Sequence, residues 1–522
     1  MTMPARAQAL FLGHPRLAAL VLGGLSACGF EPLHLWPLTL SALALLLVLA
    51  ERAASPRQVA LLGWLFGLAH FTIGNTWIAT AFTYQAEMPA WLGGIAVVGL
   101  AGYLGVYPML ALLTARLIAR SSGLAMVLAF AGAWIVTEWM RAWVFTGFVW
   151  NPLGIVLLGG FESPGWAWLA KGIGTCGLSG VAVLLAGALR HWASLWRVPV
   201  LAGGAVLIAG MVWPGTRPAE GPVAYSLVQP DIRQEVLNDP AHYEANFVKT
   251  ARLSQPGTRG GRRLVLWPES GVPDYLEDGY PDWVYHGNTY ASDPAIARER
   301  IGRVIGPGAL LLTGAVDLEI EGDEPVAARN VVTALDETGA IRGSYAKAHL
   351  VPYGEYLPLR WLLEPLGLSR LVPGALDFWP GPGPRTLDLG DWGRAGIQIC
   401  YEIVFSGEVV DRTNRPDYIF NPSNDGWFGA WGPPQHLAQA RLRAIEEGLP
   451  VLRATTTGIS AVIGPNGVVV AHVPRHVARR IDGRVPLAEA PTPFARWGNM
   501  LPLGLAAGLL VLSLVAIRRR RG

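Results

Sequence analysis

Long apolar stretches separated by short polar turns dominate the first 213 residues of the chain. They occupy residues 17–30, 33–50, 59–82, 89–114, 123–140, 172–189 and 198–213, and an eighth lies at 499–517. A helix needs about 20 predominantly apolar residues to cross the hydrocarbon core of a bilayer. The pattern therefore predicts a membrane domain of seven spans over residues 1–213 and an eighth span at 499–517.

The pattern changes near residue 220 to short β-branched segments separated by Gly and Pro turns and by amphipathic stretches. Strands are predicted at Val223–Gln229, Arg263–Trp267, Ala309–Ala315, Val331–Leu335, Ala395–Cys400, Tyr418–Asn421, Leu449–Thr455 and Ser460–Ile463. Helices are predicted at Tyr243–Leu253, Ala295–Ile305 and Pro434–Glu447. Strands mixed with helices in this way are typical of a layered α/β or α+β domain, here over residues 220–490.

Charge divides along the same boundary. The first 213 residues carry 15 charged side chains, about 7%, whereas the remaining 309 carry 64, about 21%, which is ordinary for a soluble domain. Over the whole chain, 52% of residues are hydrophobic and the net charge is +3. This composition excludes collagen-like, disordered and disulfide-scaffold proteins, and it offers no basic field for a nucleic-acid partner.

Basic residues beside the spans predict which side of the membrane each loop faces, because Lys and Arg collect on the cytoplasmic side. With the N-terminus in the cytoplasm, eight arginines fall on that side: Arg6, Arg16, Arg52, Arg57, Arg116, Arg120, Arg190 and Arg197. Only Arg141 and Lys171 fall outside, and four arginines at 518–521 follow the eighth span. We expect both termini in the cytoplasm, a basic cytoplasmic tail, and the 220–490 domain on the outer face.

An aromatic-rich stretch that also contains polar groups precedes the sixth span. Its aromatic residues are Trp143, Phe145, Phe148, Trp150, Phe161, Trp166 and Trp168. One interpretation is a belt of aromatic side chains at the membrane surface. The other is that Glu138, Arg141 and Asn151, which lie near membrane depth, line a cavity.

Three chemically active side chains follow predicted strands of the polar domain. Glu269 follows the second strand, Lys347 follows the segment Tyr345-Ala346, and Cys400 ends the strand that begins at Ala395. Open sheets present side chains at the carboxyl ends of their strands. A thiol needs a base to become a nucleophile, and the carbonyl it attacks needs a fixed positive charge near its oxygen. The three residues therefore form a candidate nucleophilic set.

The segments around these residues resemble the nitrilase superfamily. The matching segments are Glu269, the run from Lys347 to Tyr356, Cys400-Tyr401-Glu402, Asn421 to Gly429, Gln435-His436 and Arg441 to Glu446. With the predicted spans added, the whole chain resembles the membrane-bound family of that superfamily that N-acylates bacterial apolipoproteins. The fold implied is a multispan α-helical membrane bundle plus an α/β/β/α nitrilase-like sandwich. One departure is Leu237-Asn238, where the resemblance predicts a Lys-Trp pair.

The resemblance also implies a reaction and a location. Glu269 would take the proton of Cys400, and the thiolate would attack an acyl ester of a membrane phospholipid while Lys347 and a backbone N–H hold the oxyanion. The resulting thioester would pass its acyl chain to the α-amine of a diacylglyceryl-cysteine on an apolipoprotein, with ping-pong kinetics. Glu355, Tyr401 and Glu402 would orient Lys347 and the acyl group. The catalytic domain would lie in the periplasm, anchored in the inner membrane.

Two segments rich in aromatic residues, Gly and Pro are candidates for the approach of lipid to the thiol. We call them the first arm (Val272–Tyr290) and the second arm (Tyr356–Trp379). Their large side chains are Tyr275, Trp283, Tyr285, Trp361, Leu362, Leu363, Leu366, Leu371, Phe378 and Trp379. The hypothesis is that both arms dip into the headgroup region, and the alternative is that they pack on the surface of their own domain.

Two other functions stay open from the sequence. The enzyme could use water as the acceptor and be a membrane-tethered carbon-nitrogen hydrolase, or the chain could be a multispan transporter or binding protein without catalysis. No metal-ligand spacing, phosphate loop or dinucleotide fingerprint stands out, so no cofactor and no metal are expected. Of the three cysteines, Cys28 and Cys176 lie in apolar stretches and are expected to be buried side chains of the membrane domain.

Overall fold

The computed structural model describes residues 11–84, 89–120, 123–192, 197–256, 261–366 and 376–519. A helix begins within or beside each predicted span. The helices are α1 (Pro15–Ala27), α2 (Trp36–Arg52), α3 (Pro56–Gly74), α4 (Leu92–Leu104), α5 (Val106–Ala119), α6 (Gly123–Met140), α7 (Ala170–Trp192), α8 (Arg197–Val212) and, after the polar domain, α12 (Met500–Arg519). Among the described residues, four stretches are long and apolar enough to cross a membrane: 92–119, 123–140, 165–190 and 500–519. The count of seven spans and their sidedness stay predictions. Arg6 and the tail arginines at 520 and 521 lie outside the described residues.

The third helix is shorter than the apolar stretch from which it was predicted. α3 ends at Gly74, where the polar residues Asn75 and Thr76 interrupt the apolar run, and a short helix follows at Ile78–Ala81. The turn places the indole of Trp77 4.5 Å from that of Trp150 and 4.8 Å from the ring of Phe428, measured between centroids. The end of this span is therefore used for contact with the polar domain.

The polar domain contains two six-stranded sheets. Its strands are β1 (Glu220–Gln229), β2 (Arg263–Leu266), β3 (Ala309–Glu321), β4 (Glu324–Asp336), β5 (Ile341–Ala346), β6 (Thr386–Asp388), β7 (Arg394–Ile397), β8 (Tyr418–Ser423), β9 (Val451–Thr455), β10 (Ser460–Ile463), β11 (Val469–Val473) and β12 (Arg479–Pro486). The strand orders are β12-β1-β2-β3-β4-β5 and β11-β10-β9-β8-β7-β6. Three parallel strands form the centre of each sheet, β1-β2-β3 and β7-β8-β9, with antiparallel neighbours outside them.

All eight predicted strands are present, with one boundary wrong in a way that matters for the site. β7 ends at Ile397, and Cys400 begins a turn of 3-10 helix, Cys400–Val404, instead of ending the strand. The strands that were not predicted lie at or beside sheet edges. β12, for example, begins with Arg479 and Arg480 and is largely exposed, so it lacks the apolar signal of a buried strand.

Alternation of side chains along the strands produces the layers. In β2 and just after it, Leu264 and Leu266 pack between the two sheets, whereas Val265 and Trp267 face the helices α9 (Tyr243–Ser254) and α10 (Pro294–Ile305). Helix α11 (Gly432–Glu447) covers the second sheet on its outer side. Its residues Leu437, Ala440 and Ala444 belong to the same hydrophobic cluster as the side chains packed between the two sheets. The α/β/β/α sandwich predicted from the sequence is confirmed.

Helix α11 also has a second apolar face. Ala438, Leu442 and Ile445 belong to the core formed by the helices of the membrane domain. Burial of a side chain the size of Leu442 or Ile445 stabilises the fold by about 2 kcal/mol. The sandwich is therefore packed directly on the membrane domain through one shared helix.

Candidate functional site

The three chemically active side chains meet where β2, β5 and β7 end. Glu269 lies three residues after β2, Lys347 directly after β5, and Cys400 three residues after β7, and all three are buried. The ammonium Nζ of Lys347 lies 2.9 Å from Oε1 of Glu355 and 3.6 Å from Oε1 of Glu269. The structure thus brings together four of the residues that were singled out from the sequence.

Glu269 is held by donors on both oxygens. Its Oε1 accepts a hydrogen bond from Nδ2 of Asn330 at 2.8 Å, and its Oε2 accepts one from the backbone N–H of Asn424 at 2.7 Å. The Asn424 N–H also interacts with the thiol of Cys400. One backbone donor therefore lies between the carboxylate and the sulfur.

The charges in the site are set by burial and by these neighbours. Burial raises the pKa of the Cys400 thiol well above its usual value, and the negative charge of Glu269 adds to that effect, while Lys347 opposes it. Burial disfavours the Lys347 ammonium, but the carboxylates of Glu355 and Glu269 outweigh it and raise the pKa of Lys347. At neutral pH, Lys347 is charged and Cys400 keeps its proton.

Asn330 is a site residue that sequence reasoning missed. Besides Glu269, its Nδ2 donates to Oε1 of Glu355 at 3.0 Å, and its backbone carbonyl accepts from the Lys347 N–H at 2.9 Å. Glu355 also accepts from the N–H of Val351 at 2.8 Å. The only available signal was its position one residue before the predicted strand Val331–Leu335, opposite the strand that carries Lys347.

Glu402 and Tyr401 lie beside the site but bind other partners. Glu402 accepts from Tyr345 OH at 2.9 Å, from the N–H groups of Ala348 and His349 at 2.7 and 3.2 Å, and from the Ile399 N–H at 2.7 Å. It thereby joins the backbone beside Lys347 to the backbone beside Cys400, and burial raises its pKa to about 7.

Tyr401 instead contacts the membrane domain. Its hydroxyl donates to the carbonyl of Gly147 at 3.3 Å, and its ring lies 6.5 Å from that of Phe148. The loop that carries these residues is shaped by Arg141, which donates to the carbonyl of Trp150 at 3.0 Å and lies 3.7 Å from the carboxylate of Glu138. Of the polar groups predicted near membrane depth, all three are buried, and two of them shape this loop.

The backbone of Cys400 is held in a left-handed conformation, with φ of 52°. This conformation is uncommon for a residue with a side chain, and it persists where the surroundings enforce it. The Cys400 carbonyl lies 3.1 Å from Nε2 of His436 and accepts from Nδ2 of Asn421 at 3.4 Å. Both partners come from segments that the sequence analysis matched to the superfamily, and both fix the turn that presents the thiol.

His436 is neutral and has a defined tautomer. Burial and then the charge of Arg453 lower its pKa to about 4, so one ring nitrogen carries a proton at neutral pH. A carbonyl can only accept, so the proton is on Nε2 and is donated to Cys400. Nδ1 then accepts from Nη2 of Arg453 at 2.9 Å, and the same Nη2 binds both oxygens of Asp425 at 2.7 and 2.8 Å, which brings Oδ1 of Asp425 to 3.1 Å from Nδ1.

This arrangement predicts acid sensitivity. A depressed folded-state pKa contributes stability that is complete above the unfolded value of 6.5 and is lost as the pH falls toward 4. The loss from His436 amounts to about 3 kcal/mol. Thermal unfolding is measured in detergent at a series of pH values from 7 to 4. The Tm of the wild type is expected to fall more steeply with decreasing pH than the Tm of His436→Gln. Parallel curves for the two proteins would contradict the assignment.

The two arms differ in how they pack. In the first arm, Val272, Leu276, Val284 and Tyr285 are buried against the domain, while the side chain of Trp283 is 52% exposed. The described part of the second arm presents four exposed large apolar side chains, Leu359, Trp361, Leu362 and Trp379. Residues 367–375, which include Leu371, lie outside the described residues, and the side chain of Leu366 is not described. The first arm follows the alternative of a packed loop, and insertion of either arm into lipid stays a prediction.

The segment that departs from the expected pattern also lies at the site. Residues Gln234–Leu237 form a short helix, and Oε1 of Gln234 accepts from the side chain of Asn424 at 2.9 Å. Among the described residues, no cluster of three or more His, Cys, Asp and Glu side chains is arranged to hold a metal ion.

Comparison with known proteins gives matches over both parts of the chain. The family model of the apolipoprotein N-acyltransferase N-terminal domain matches residues 22–188, and that of the carbon-nitrogen hydrolases matches residues 226–489. Among solved structures, an amidase of the nitrilase superfamily from Nesterenkonia AN1 is 19% identical with a TM-score of 0.36, over 52% of this chain and 94% of its own. A branch 10 member of that superfamily from Saccharomyces cerevisiae is 19% identical with a TM-score of 0.35, over 52% and 92%.

Curated relatives match almost the whole chain. An apolipoprotein N-acyltransferase from Rhodopseudomonas palustris is 34% identical, over 96% of this chain and 95% of the relative. Those from Bradyrhizobium diazoefficiens and Caulobacter vibrioides are 34% and 33% identical, over 97% of this chain and 95% and 94% of the relatives. With this identity over nearly the full length, the chain belongs to the apolipoprotein N-acyltransferase family.

Proposed function

We propose that this protein transfers an acyl chain from a membrane phospholipid, through a thioester on Cys400, to the N-terminal α-amine of the diacylglyceryl-cysteine of apolipoproteins. The observation that carries the proposal is the meeting of Cys400, Lys347 and Glu269 in one buried site. Family membership supports the same reaction. A periplasmic catalytic domain on an inner-membrane bundle is part of the proposal, since the lipid and the apolipoprotein both meet the enzyme at that surface.

In the first half-reaction Glu269 acts as the general base. Because the Cys400 thiol is protonated at rest, its proton passes to Glu269 as the sulfur attacks the ester carbonyl. The new carbon-sulfur bond leaves a negative charge on the carbonyl oxygen, and the Lys347 ammonium and the Asn424 N–H are the donors that face the thiol. The ester carbon-oxygen bond then breaks, and the lysophospholipid leaves with the proton that Glu269 returns.

In the second half-reaction the α-amine of the apolipoprotein attacks the thioester. Glu269 accepts the proton that the amine loses and passes it to the sulfur as the carbon-sulfur bond breaks, which restores both the thiol and the carboxylate. The two substrates react in turn at one thiol, which gives ping-pong kinetics. Glu355 keeps Lys347 in place from 2.9 Å, and Glu402 holds the backbone beside both Lys347 and Cys400. Tyr401 ties the Cys400 segment to the carbonyl of Gly147.

Contact with the membrane domain supports lipid substrates over soluble ones. The Tyr401 hydroxyl binds Gly147, and His349, two residues from Lys347, lies 3.3 Å from the carbonyl of Thr146. Both the nucleophile segment and the lysine segment therefore touch one loop of the membrane domain. A hydrolase that used membrane helices only as a tether would not need these contacts.

The test is the mass of the peptide that contains Cys400 after incubation with phospholipid alone. We expect an acyl-sized, hydroxylamine-labile increment that persists until an amine acceptor is added. Cys400→Ala removes it, whereas Cys176→Ala, which changes another buried free cysteine, keeps it. Rapid loss of the acyl group to water would favour the hydrolase instead, and no increment in the wild type would favour a binding protein.

A further inference from the structure

Helix α7 of the membrane domain is broken where it meets the sandwich. Gly174 has φ of 65° and ψ of 175°, outside the helical range. A Cβ at this position would lie 2.2 Å from the ring of Phe494, so both the backbone and the available space require glycine. The break makes Thr175 the start of a new helical segment, and the first N–H groups of a helix have no partner within it.

A carboxylate from the sandwich accepts hydrogen bonds from the first residue of this new helical segment. Oε1 of Glu446, on α11, accepts from the Thr175 N–H at 2.6 Å and from the Thr175 hydroxyl at 2.7 Å. A negative charge is favourable at the beginning of a helical segment. The cap of a membrane helix is thus supplied by a residue 271 positions later in the chain.

The same side chains hold the end of the turn that begins with Cys400. The hydroxyl of Ser406 donates to Oε1 of Glu446 at 2.7 Å, and Nη1 of Arg443 donates to the carbonyl of Val404 at 3.1 Å. Arg443 and Glu446 pair at 2.9 Å, and Arg443 also binds the Thr175 hydroxyl. The pair therefore contacts the Cys400 turn on one side and the α7 break on the other.

The ion pair of Arg443 and Glu446 is buried, so its formation carries a free-energy cost of desolvation. Arg443 is 1% exposed and Glu446 is fully buried. Apolar side chains of similar volume often stabilise a protein as well as a buried ion pair does. The contribution of the ion pair is geometric, because each of its hydrogen bonds fixes the distance between two particular backbone segments.

We propose that Glu446, with Arg443, is a positioning residue that fixes the height of the Cys400 thiol relative to the bilayer by tying its turn to the break in α7. The inference rests on the proposed function and deepens it. The pair does not touch the reacting atoms, and His436 fixes the other end of the same turn. Loss of the tie therefore affects delivery of a bilayer-bound ester to the thiol more than the reactivity of the thiol itself.

The experiment compares two acyl donors on the full-length protein in phospholipid nanodiscs or detergent. One donor is phospholipid, followed by the mass of the Cys400 peptide. The other is p-nitrophenyl butyrate, whose ester bond breaks to release p-nitrophenolate as Cys400 is acylated. For Glu446→Gln we expect acylation by phospholipid to slow 10- to 100-fold while the p-nitrophenolate burst stays within threefold of wild type. Thr175→Val removes the two hydrogen bonds of the Thr175 hydroxyl, and Ser406→Ala removes one bond to Glu446. Both keep the ion pair, so smaller losses of about 3- to 10-fold with phospholipid are expected.

Glu447→Gln is the matched control. Glu447 is the next residue of α11, is buried to the same degree, and its carboxylate has no hydrogen-bond partner among the described residues. It should behave as wild type with both donors, and Thr175→Ser should restore what Thr175→Val loses. Equal slowing with both donors, or unchanged acylation by phospholipid in all the variants, would overturn the inference. A wild type that takes no acyl group from phospholipid would refute the proposed function itself, whatever the variants do with p-nitrophenyl butyrate.

Discussion

Acylation of Cys400 by phospholipid is expected to fall at least 10³-fold when Lys347 is replaced by Met. The ammonium lies 2.9 Å from Glu355 and 3.6 Å from Glu269, and removal of one donor to a developing oxyanion costs about 10²- to 10³-fold in rate. The variant also leaves two carboxylates facing each other across Asn330. Without the cation between them these two buried negative charges repel each other, so the carboxylate of Glu269 would be held less firmly for its role as a base. Both effects act in the same direction.

The measurement is the rate at which the acyl increment appears on the Cys400 peptide. Lys171→Met serves as a control, since the ammonium of Lys171 is partly exposed and pairs with Glu489 instead of with a carboxylate of the site. Because removal of one partner of a buried pair destabilises a protein by about 3–5 kcal/mol, Lys347→Met should also be combined with Glu355→Gln. The double variant should recover stability without recovering rate. Acylation within tenfold of wild type in either variant would contradict the role of Lys347.

Glu269→Gln is expected to slow both half-reactions by about 10³-fold. A positioned general base contributes about 10²- to 10⁴-fold, and no thiolate is available in advance because burial, which the variant keeps, is the main cause of the raised pKa of the Cys400 thiol. In the variant the rate should rise steeply with pH above 9 as hydroxide takes over removal of the proton. The wild type should show no such rise over that range.

The two half-reactions are measured separately. Formation of the thioester from phospholipid gives the first, and its loss on addition of an amine acceptor gives the second. Glu355→Gln is the comparison, since Glu355 holds Lys347 and does not share the Asn424 N–H with the thiol. A Glu269→Gln protein that forms thioester at the wild-type rate would show that another group takes the proton.

The candidate site residues that could be predicted from the sequence are reactive side chains that directly follow a recognisable strand or segment. Glu269, Lys347 and Cys400 each follow a recognisable strand or segment, so their convergence could be predicted from the topology of a layered sheet protein. The strand pattern was sufficient because buried strands are continuous runs of β-branched and apolar residues. Edge strand β12, with two arginines at its start, carries no such signal.

The residues that were missed act through partners distant in the chain. Asn330 joins two carboxylates, and Arg453 fixes the tautomer of His436. Asn330 stands just before a predicted strand and Arg453 within one, and nothing in their local sequence shows that each binds a side chain from a distant segment. The break at Gly174 was equally hidden, because Gly174 is one of five glycines in the apolar run 172–189 and nothing local distinguishes it from the other four.

The two apolar faces of helix α11 limit how the sandwich could exist without the membrane domain. One face, with Leu437, Ala440 and Ala444, completes the sandwich, and the other, with Ala438, Leu442 and Ile445, completes the membrane core. A sandwich cut free of its bundle would expose an apolar strip on the helix that carries His436, Arg443 and Glu446. Such a domain could become soluble only if the exposed apolar residues of this helix were replaced by polar ones, and the same helix holds the Cys400 turn. Solubility and the geometry of the Cys400 turn are thus encoded in the same sixteen residues, and a change that serves one is constrained by the other.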